Sequence, residues 1–240
     1  MIYNYSDAIN VFTDASTTSV VLDGRKYNCA CSGQSMTILN SLISYHSDIF
    51  FDATNSYGEI YALLIGVTMA LDYNQKKFNK SKPINVYSDS EFAVLGSTLW
   101  IKDWFNRGSN HLLLVNKSQS VVSHMDLFLS IMRTVLLYDQ KINILNILGH
   151  KNPNNVSDMD SFRNYFLQKN KIYYKNTSIN DLQTICHYNN FVDKSTRDNL
   201  VAFVKNKDFP ILADSMRPKR VPMYWYPTEE DLYRYLSLVN

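Results

Sequence analysis

Four carboxylates and one imidazole recur along the chain at the ends or starts of regular elements. Asp14 closes the β-favouring run Ile9-Asn10-Val11-Phe12-Thr13-Asp14-Ala15-Ser16. Glu59 falls in the expected first turn of a helix over Tyr57–Tyr73, and Asp89 follows a strand in Ser88-Asp89-Ser90. Asp160, with Asp158 as its alternative, opens a helix near Ser157, and His150 lies in the loop just before it. Taken singly, such residues are ordinary turn formers, helix caps or dipole partners. Taken together they imply more. Clustered carboxylates repel one another and stay partly protonated unless cations neutralise them. Mg2+, a hard ion that takes carboxylate, water and phosphate oxygens, suits such a set. Two such ions about 3.5–4 Å apart can activate a water and stabilise the leaving oxygen of a phosphodiester. An imidazole beside them is poised at neutral pH for proton transfer.

The elements that would position these groups can be read from periodicity. After the Asp14 strand, Lys26–Met36 and Leu39–Asp52 read as two more strands, with turn signals at Asp23-Gly24 and Ser32-Gly33. In Tyr57–Tyr73, Ile60, Leu63, Leu64, Val67 and Leu71 follow helical spacing. Ile84–Tyr87 is a strand after Pro83, and Phe92–Leu95 and Leu99–Phe105 are short helical pieces. A helix over Ser123–Asp139, a strand over Lys141–Leu148 and the helix from Ser157 complete the order β-β-β-α-β-α-α-β-α. That order indicates an antiparallel β1–β3 meander extended by parallel strands, a mixed α/β sheet covered by helices.

Five segments in this order resemble the ribonuclease H family, type 1, over about residues 8–168. Phe12-Thr13-Asp14-Ala15-Ser16 is similar to the family's first-strand T-D-G-S segment, with Ala for Gly. Thr54-Asn55-Ser56-Tyr57-Gly58-Glu59-Ile60-Tyr61-Ala62 resembles its T-N-x-x-x-E-hydrophobic-x-A helix start. Ser88-Asp89-Ser90 matches its T/S-D-S motif. Trp100-Ile101-Lys102-Asp103-Trp104-Phe105-Asn106-Arg107-Gly108 resembles its W-I-x-x-W-x-x-R-G substrate-binding handle. Gly149-His150, ten residues before Asp160, has the spacing of its G-H and final Asp. The resemblance implies a ribonuclease H-like fold with a five-stranded sheet, and an endonuclease that cuts the RNA strand of RNA–DNA hybrids with two Mg2+, or Mn2+ as a substitute. Asp14, Glu59, Asp89 and Asp160 would hold the metals and His150 would aid proton transfer. Ser16, Thr54, Asn55 and Ser90 become candidate hybrid contacts, and Trp100, Trp104 and Arg107 belong to the handle. Asp158, four residues after Asn154, also fits the family's N-x-x-x-D pattern; Asp160 is preferred on its helical placement.

Composition sets the outer bounds. The 240 residues are 45% hydrophobic and 19% charged with a net charge of +2, which excludes disordered and collagen-like classes. The longest apolar runs, Tyr61–Leu71 and Ile142–Leu148, are shorter than the roughly 20 residues of a membrane span. The amino terminus has no signal-peptide pattern. Cys29, Cys31 and Cys186 fit neither a disulfide framework nor a zinc site, so free core thiols in a reducing, cytoplasmic compartment are expected. Richness in Asn, Ile, Tyr and Lys is the bias of an AT-rich genome, a viral one among the candidates.

Residues 1–170 are read as the catalytic domain and 171–240 as a helical extension that resembles nothing named. In the extension, Ser178–Tyr188, Ser195–Asn206 and Thr228–Leu238 each start with a capping-box-like pattern. Arg217-Pro218-Lys219-Arg220 followed by aromatics can bind nucleic acid, so Arg217, Lys219 and Arg220 are candidate contacts; a solvated loop is the plainer reading. Three functions stay open: the hybrid-cleaving nuclease, an inactive subunit of the same fold binding nucleic acid or a protein partner through 171–240, and another nuclease such as a resolvase.

Overall fold

The computed structural model describes residues 5–108, 114–171, 178–206, 209, 214–218 and 225–239. Strands β1 (Ile9–Leu22), β2 (Arg25–Ile38) and β3 (Ser41–Phe51) form an antiparallel meander. β4 (Ile84–Ser88) adds parallel to β1, and β5 (Asn143–Asn146) parallel to β4, in the order β3-β2-β1-β4-β5. The mixed five-stranded sheet is therefore the one the motifs imply. Both hairpins turn on two residues with positive φ, Asp23-Gly24 and Leu39-Asn40, as right-twisted strands require. The expected turn at Ser32-Gly33 is instead the middle of β2. Glycine there serves a close approach: a Cβ on Gly33 would stand 2.3 Å from Thr196 Cγ2 of the helix above.

Alternation along β1 sends Val11, Thr13 and Ala15 to one face and Phe12, Asp14 and Ser16 to the other. The first face is covered by α1 (Asn55–Phe78), α4 (Met125–Tyr138) and α7 (Glu229–Leu238), with Ile60, Leu63, Val67, Leu127, Ile131 and Tyr235 in its core. The second is covered by α5 (Val156–Asn170) and α6 (Ile179–Val204), whose Phe162, Phe166, Leu182, Ile185 and Val192 pack on Phe12 and Tyr87. The short α2 (Glu91–Leu95) and α3 (Ile101–Arg107) are joined through a π turn at Gly96–Trp100.

The two helices expected over Ser178–Tyr188 and Ser195–Asn206 are one. Ser178 caps α6 by accepting from Asp181 N–H, but Ser195 lies inside the helix. No Gly or Pro breaks Tyr188–Lys194, and the buried stripe Leu182, Ile185, Asn189, Val192, Thr196, Leu200, Phe203 runs through it at helical spacing. α7 starts as expected, with a full capping box from Thr228 to Asp231. It is anchored by Tyr235 Oη, which donates to Ser97 O at 2.6 Å, and by Ile142 N–H, which donates to Leu238 O at 2.9 Å. Thus α6 and α7, both beyond residue 170, close directly on elements that precede it. The three cysteines are buried free thiols. Among the described residues no helix is long and apolar enough to cross a membrane.

Candidate active site

The ladder between β1 and β4 runs from Ile9–Ile84 to Thr13–Ser88, so Asp14 and Asp89 are the next residues on two neighbouring parallel strands. Buried amides lock that register. Asn85 Nδ2 donates to Asn10 Oδ1 at 3.0 Å, and Asn143 Nδ2 donates to Asn85 Oδ1 at 2.8 Å, a chain across β1, β4 and β5. Unsatisfied buried amides are costly, so a slipped register would lose these bonds and pay for it. Glu59 arrives from α1. That helix begins at Asn55 under the Thr54 cap, two residues before its expected start, so Glu59 stands in the second turn rather than the first and turns toward the sheet. One oxygen from each of Asp14, Glu59 and Asp89 can be chosen so that all lie within 4.8 Å of one another.

The electrostatics of this trio are those of a site built for cations. Burial first, then the Asp89 and Asp193 charges, push Asp14 up to about 8, although the Ala15 N–H donates to its Oδ1 at 2.7 Å. Burial and then Asp14 and Asp89 raise Glu59 well above the usual carboxylate range; Asp89 is raised too, chiefly by burial. Asn55 Nδ2 donates to Glu59 Oε1 at 3.1 Å, while Glu59 Oε2 is buried with no hydrogen-bond partner. An all-carboxylate donor set with an orphaned buried oxygen fits a hard divalent cation.

Asp160 does not join the trio. α5 turns Met159, Phe162 and Phe166 into the core, which at about 100° per residue leaves Asp160 exposed on the outer side of its second turn. Asp158 is used locally: it accepts from Lys151 Nζ and from Asn152 N–H, both at 3.1 Å, and so ties down the loop before α5. Asp193 of α6 stands outside the group whose oxygens converge within 4.8 Å, but close enough that its charge raises Asp14, Glu59 and Asp89. Its Oδ2 lies 3.5 Å from His150 Nδ1 and 2.5 Å from Arg197 Nη2. Sequence reasoning missed Asp193 because reading Ser195 as a cap split α6 in two and left Asp193 between the halves; the polar Asn189 and Thr196 interrupt the apolar stripe that joins them. Each interruption faces the site: Asn189 stands near enough to the Asp89 carboxylate to offset part of the rise in its pKa, and Thr196 Oγ1 lies 2.9 Å from Ser16 Oγ. The signal was present as a helical stripe holding two polar residues.

His150 has a left-handed backbone and a side chain 74% exposed at the mouth of the cluster. Of the candidate hybrid contacts, Thr54 and Ser90 cap α1 and α2, Asn55 holds Glu59, and Ser16 is bonded to Thr196. Thr54 Oγ1 also lies 3.2 Å from Nε2 of His124, a residue the motifs did not single out. Trp100, Trp104 and Arg107 line a cleft of about 540 Å³ with Asp103, Asn116, Lys117 and Ser118. The two indoles are 5.9 Å apart; Trp104 is 7% exposed and packs on Phe128, so it belongs to both core and cleft. Arg217 pairs with Asp52 at 3.2 Å and lies over the Phe51 ring, 5.3 Å from its centroid. Lys219 and Arg220 lie outside the described residues.

The strand order β3-β2-β1-β4-β5, with three acids converging beside the β1–β4 ladder, decides the architecture. The chain has a ribonuclease H-like fold. No protein-family model matches it, and no curated protein does. Among solved structures it is similar to a foamy viral protease-reverse transcriptase in complex with an RNA/DNA hybrid, at 16% identity and a TM-score of 0.49 over 71% of this chain and 20% of that one. It is also similar to LC11-RNase H1 in complex with an RNA/DNA hybrid, at 17% identity and a TM-score of 0.39 over 58% and 85% of the two chains. LC9-RNase H1, a type 1 RNase H with the type 2 active-site motif, aligns at 13% identity and a TM-score of 0.35 over 90% of each. The chain spans about a fifth of the length of the first of these.

Proposed function

We propose that this protein is a divalent-metal-dependent endoribonuclease that hydrolyses the RNA strand of RNA–DNA hybrids. The observation that carries the reading is the convergence of Asp14, Glu59 and Asp89 from three separate elements, with one Glu59 oxygen buried and unpartnered. In this reading these three residues hold two Mg2+, or Mn2+, and Asp193 takes the place that motif spacing offered to Asp160. The bound ions would supply an activated water and charge stabilisation at the leaving oxygen.

The chain's own groups do the rest. Asn55 and Asn189 orient the Glu59 and Asp89 carboxylates, which is the role outer hydrogen bonds play around metal ligands. His150, exposed beside Asp193, moves a proton to the leaving oxygen. Thr54 and Ser90, at helix N-termini next to the acids, are suited to reading 2′-hydroxyls in a minor groove. The cleft of Trp100, Trp104, Arg107 and Lys117 takes a strand by stacking and charge. The catalytic unit then runs past residue 170 and includes α6.

The test is incubation with matched RNA–DNA hybrid, double-stranded RNA, double-stranded DNA and single-stranded RNA, with Mg2+ or EDTA. Hybrid cleavage that needs Mg2+ is expected. Cleavage of branched or duplex DNA in preference would move the reading to another nuclease, and no cleavage of any substrate would move it to a binding subunit.

A further inference from the structure

One stripe of α6 passes over the acidic site. Asn189, Asp193 and Arg197 succeed one another at i, i+4, about 6 Å apart along the helix. Asn189 contacts Asp89 and Asp193 contacts His150; between the last two members of the stripe, Thr196 meets Ser16, two residues beyond Asp14 on the same face of β1. The helix is held at this height by the Gly33–Thr196 approach. Arg197 is thereby fixed at the rim of the cluster, with its Nη2 on Asp193 and its side chain 59% exposed.

Lys151 and Lys169 are paired with carboxylates outside the acidic site, Asp158 and Glu91. Arg197 is paired with a carboxylate of the acidic site itself. A cation on the rim of the acidic site adds positive charge where a phosphate must come closest. Guanidinium has five donors in a planar fork; one edge on Asp193 leaves the other for the oxygens of a phosphate.

We propose that Arg197 is a substrate-binding residue that grips a backbone phosphodiester of the nucleic acid next to the acidic cluster. The assignment rests on the nuclease reading above. It makes α6 part of the nucleic-acid surface, opposite the tryptophan cleft.

The experiment is a salt titration of binding. Affinity of full-length protein for a fluorescent RNA–DNA hybrid is measured by anisotropy with Ca2+ in place of Mg2+, for the wild type, Arg197→Ala and Arg197→Lys. Each phosphate neutralised contributes about 0.9 to the slope of log affinity against log salt on duplex DNA. Arg197→Ala should bind several-fold more weakly at low salt with a slope smaller by about one, and Arg197→Lys should keep the wild-type slope. Arg197→Gln, which keeps the stem, should read as Arg197→Ala does and guards against a folding effect. A wild-type slope in the Ala and Gln variants overturns the proposal, even if turnover falls, because Arg197 would then act only by positioning Asp193. Wild-type protein that neither binds nor cleaves hybrid in Mg2+ overturns the nuclease reading instead.

Discussion

Gly149 lies against Asp89 so closely that a Cβ on it would stand 2.2 Å from Asp89 Oδ2 and 3.3 Å from Asp89 Cβ. The loop leading to His150 therefore walls in one of the three clustered carboxylates, and only a hydrogen fits between them. Gly149→Ala should turn Asp89 out of place while leaving the core intact. The expected outcome is a 10–100-fold loss of Mn2+ affinity, the usual effect of disturbing a ligand's support, measured by calorimetry. The melting temperature should stay close to wild type. Unchanged Mn2+ affinity would show that Asp89 tolerates the methyl and is not held by this contact.

Asp193 and Asp160 separate cleanly by substitution. Asp193→Asn should reduce hybrid cleavage by 100-fold or more, whereas Asp160→Asn, on the exposed side of α5, should stay within about twofold of wild type. Equal losses, or a loss confined to Asp160→Asn, would return the fourth carboxylate to α5.

His150→Ala should slow single-turnover cleavage by about 10²–10⁴-fold, the range of a proton-transfer aid, with hybrid affinity unchanged. A fall in affinity at constant single-turnover rate would make His150 a binding residue.

The buried acids also make stability depend on pH. Asp14 titrates at about 8 in the fold against 3.8 ordinarily, so between these values the folded state keeps a proton that the unfolded chain has released. Bound protons then favour the fold, and stability falls as pH rises from about 4 to about 8. In EDTA at pH 8, Asp14→Asn should therefore melt above wild type by several degrees, at about 2–4 °C per kcal/mol for a chain of this size. Mn2+ should raise the wild-type melting temperature and leave that of Asp14→Asn nearly unmoved. A wild-type melting temperature flat across this pH range in EDTA would count against the clustered-carboxylate reading.

The two cleft tryptophans should divide their effects. Trp104, 7% exposed against Phe92 and Phe128, should cost about 3–5 kcal/mol of stability when changed to Ala. Trp100, partly exposed on the cleft, should cost about 1–3 kcal/mol of hybrid affinity, the worth of a stacked base, with a smaller effect on melting. Chemical denaturation and anisotropy read the two separately; a purely structural Trp100 would leave affinity alone.

Much of this protein was legible in its residues alone. Local propensity and period specify the three early strands, the long α1 and the strand end that carries Asp89, because alternation and helical spacing are short-range properties; the strand expected to close at Asp14 instead runs on to Leu22. The trio of acids could be named from the motifs, although only Asp89 sits at an element boundary: β1 runs on past Asp14 to Leu22, and Glu59 lies in the second turn of α1.

What the chain order could not reveal lies in tertiary packing. Gly33 reads as a turn until α6 descends on it, and Ser195 reads as a cap until the stripe from Leu182 to Phe203 is laid on the sheet. In one dimension the spacing from His150 points to Asp160, and nothing marks Asp193. The burial of Met159, Phe162 and Phe166 turns Asp160 to solvent, while Val192 and Thr196 press α6 onto β1 and β2 and bring Asp193 to the acids. Side-chain direction on a helix follows from which face is buried, and only the assembled layers decide that.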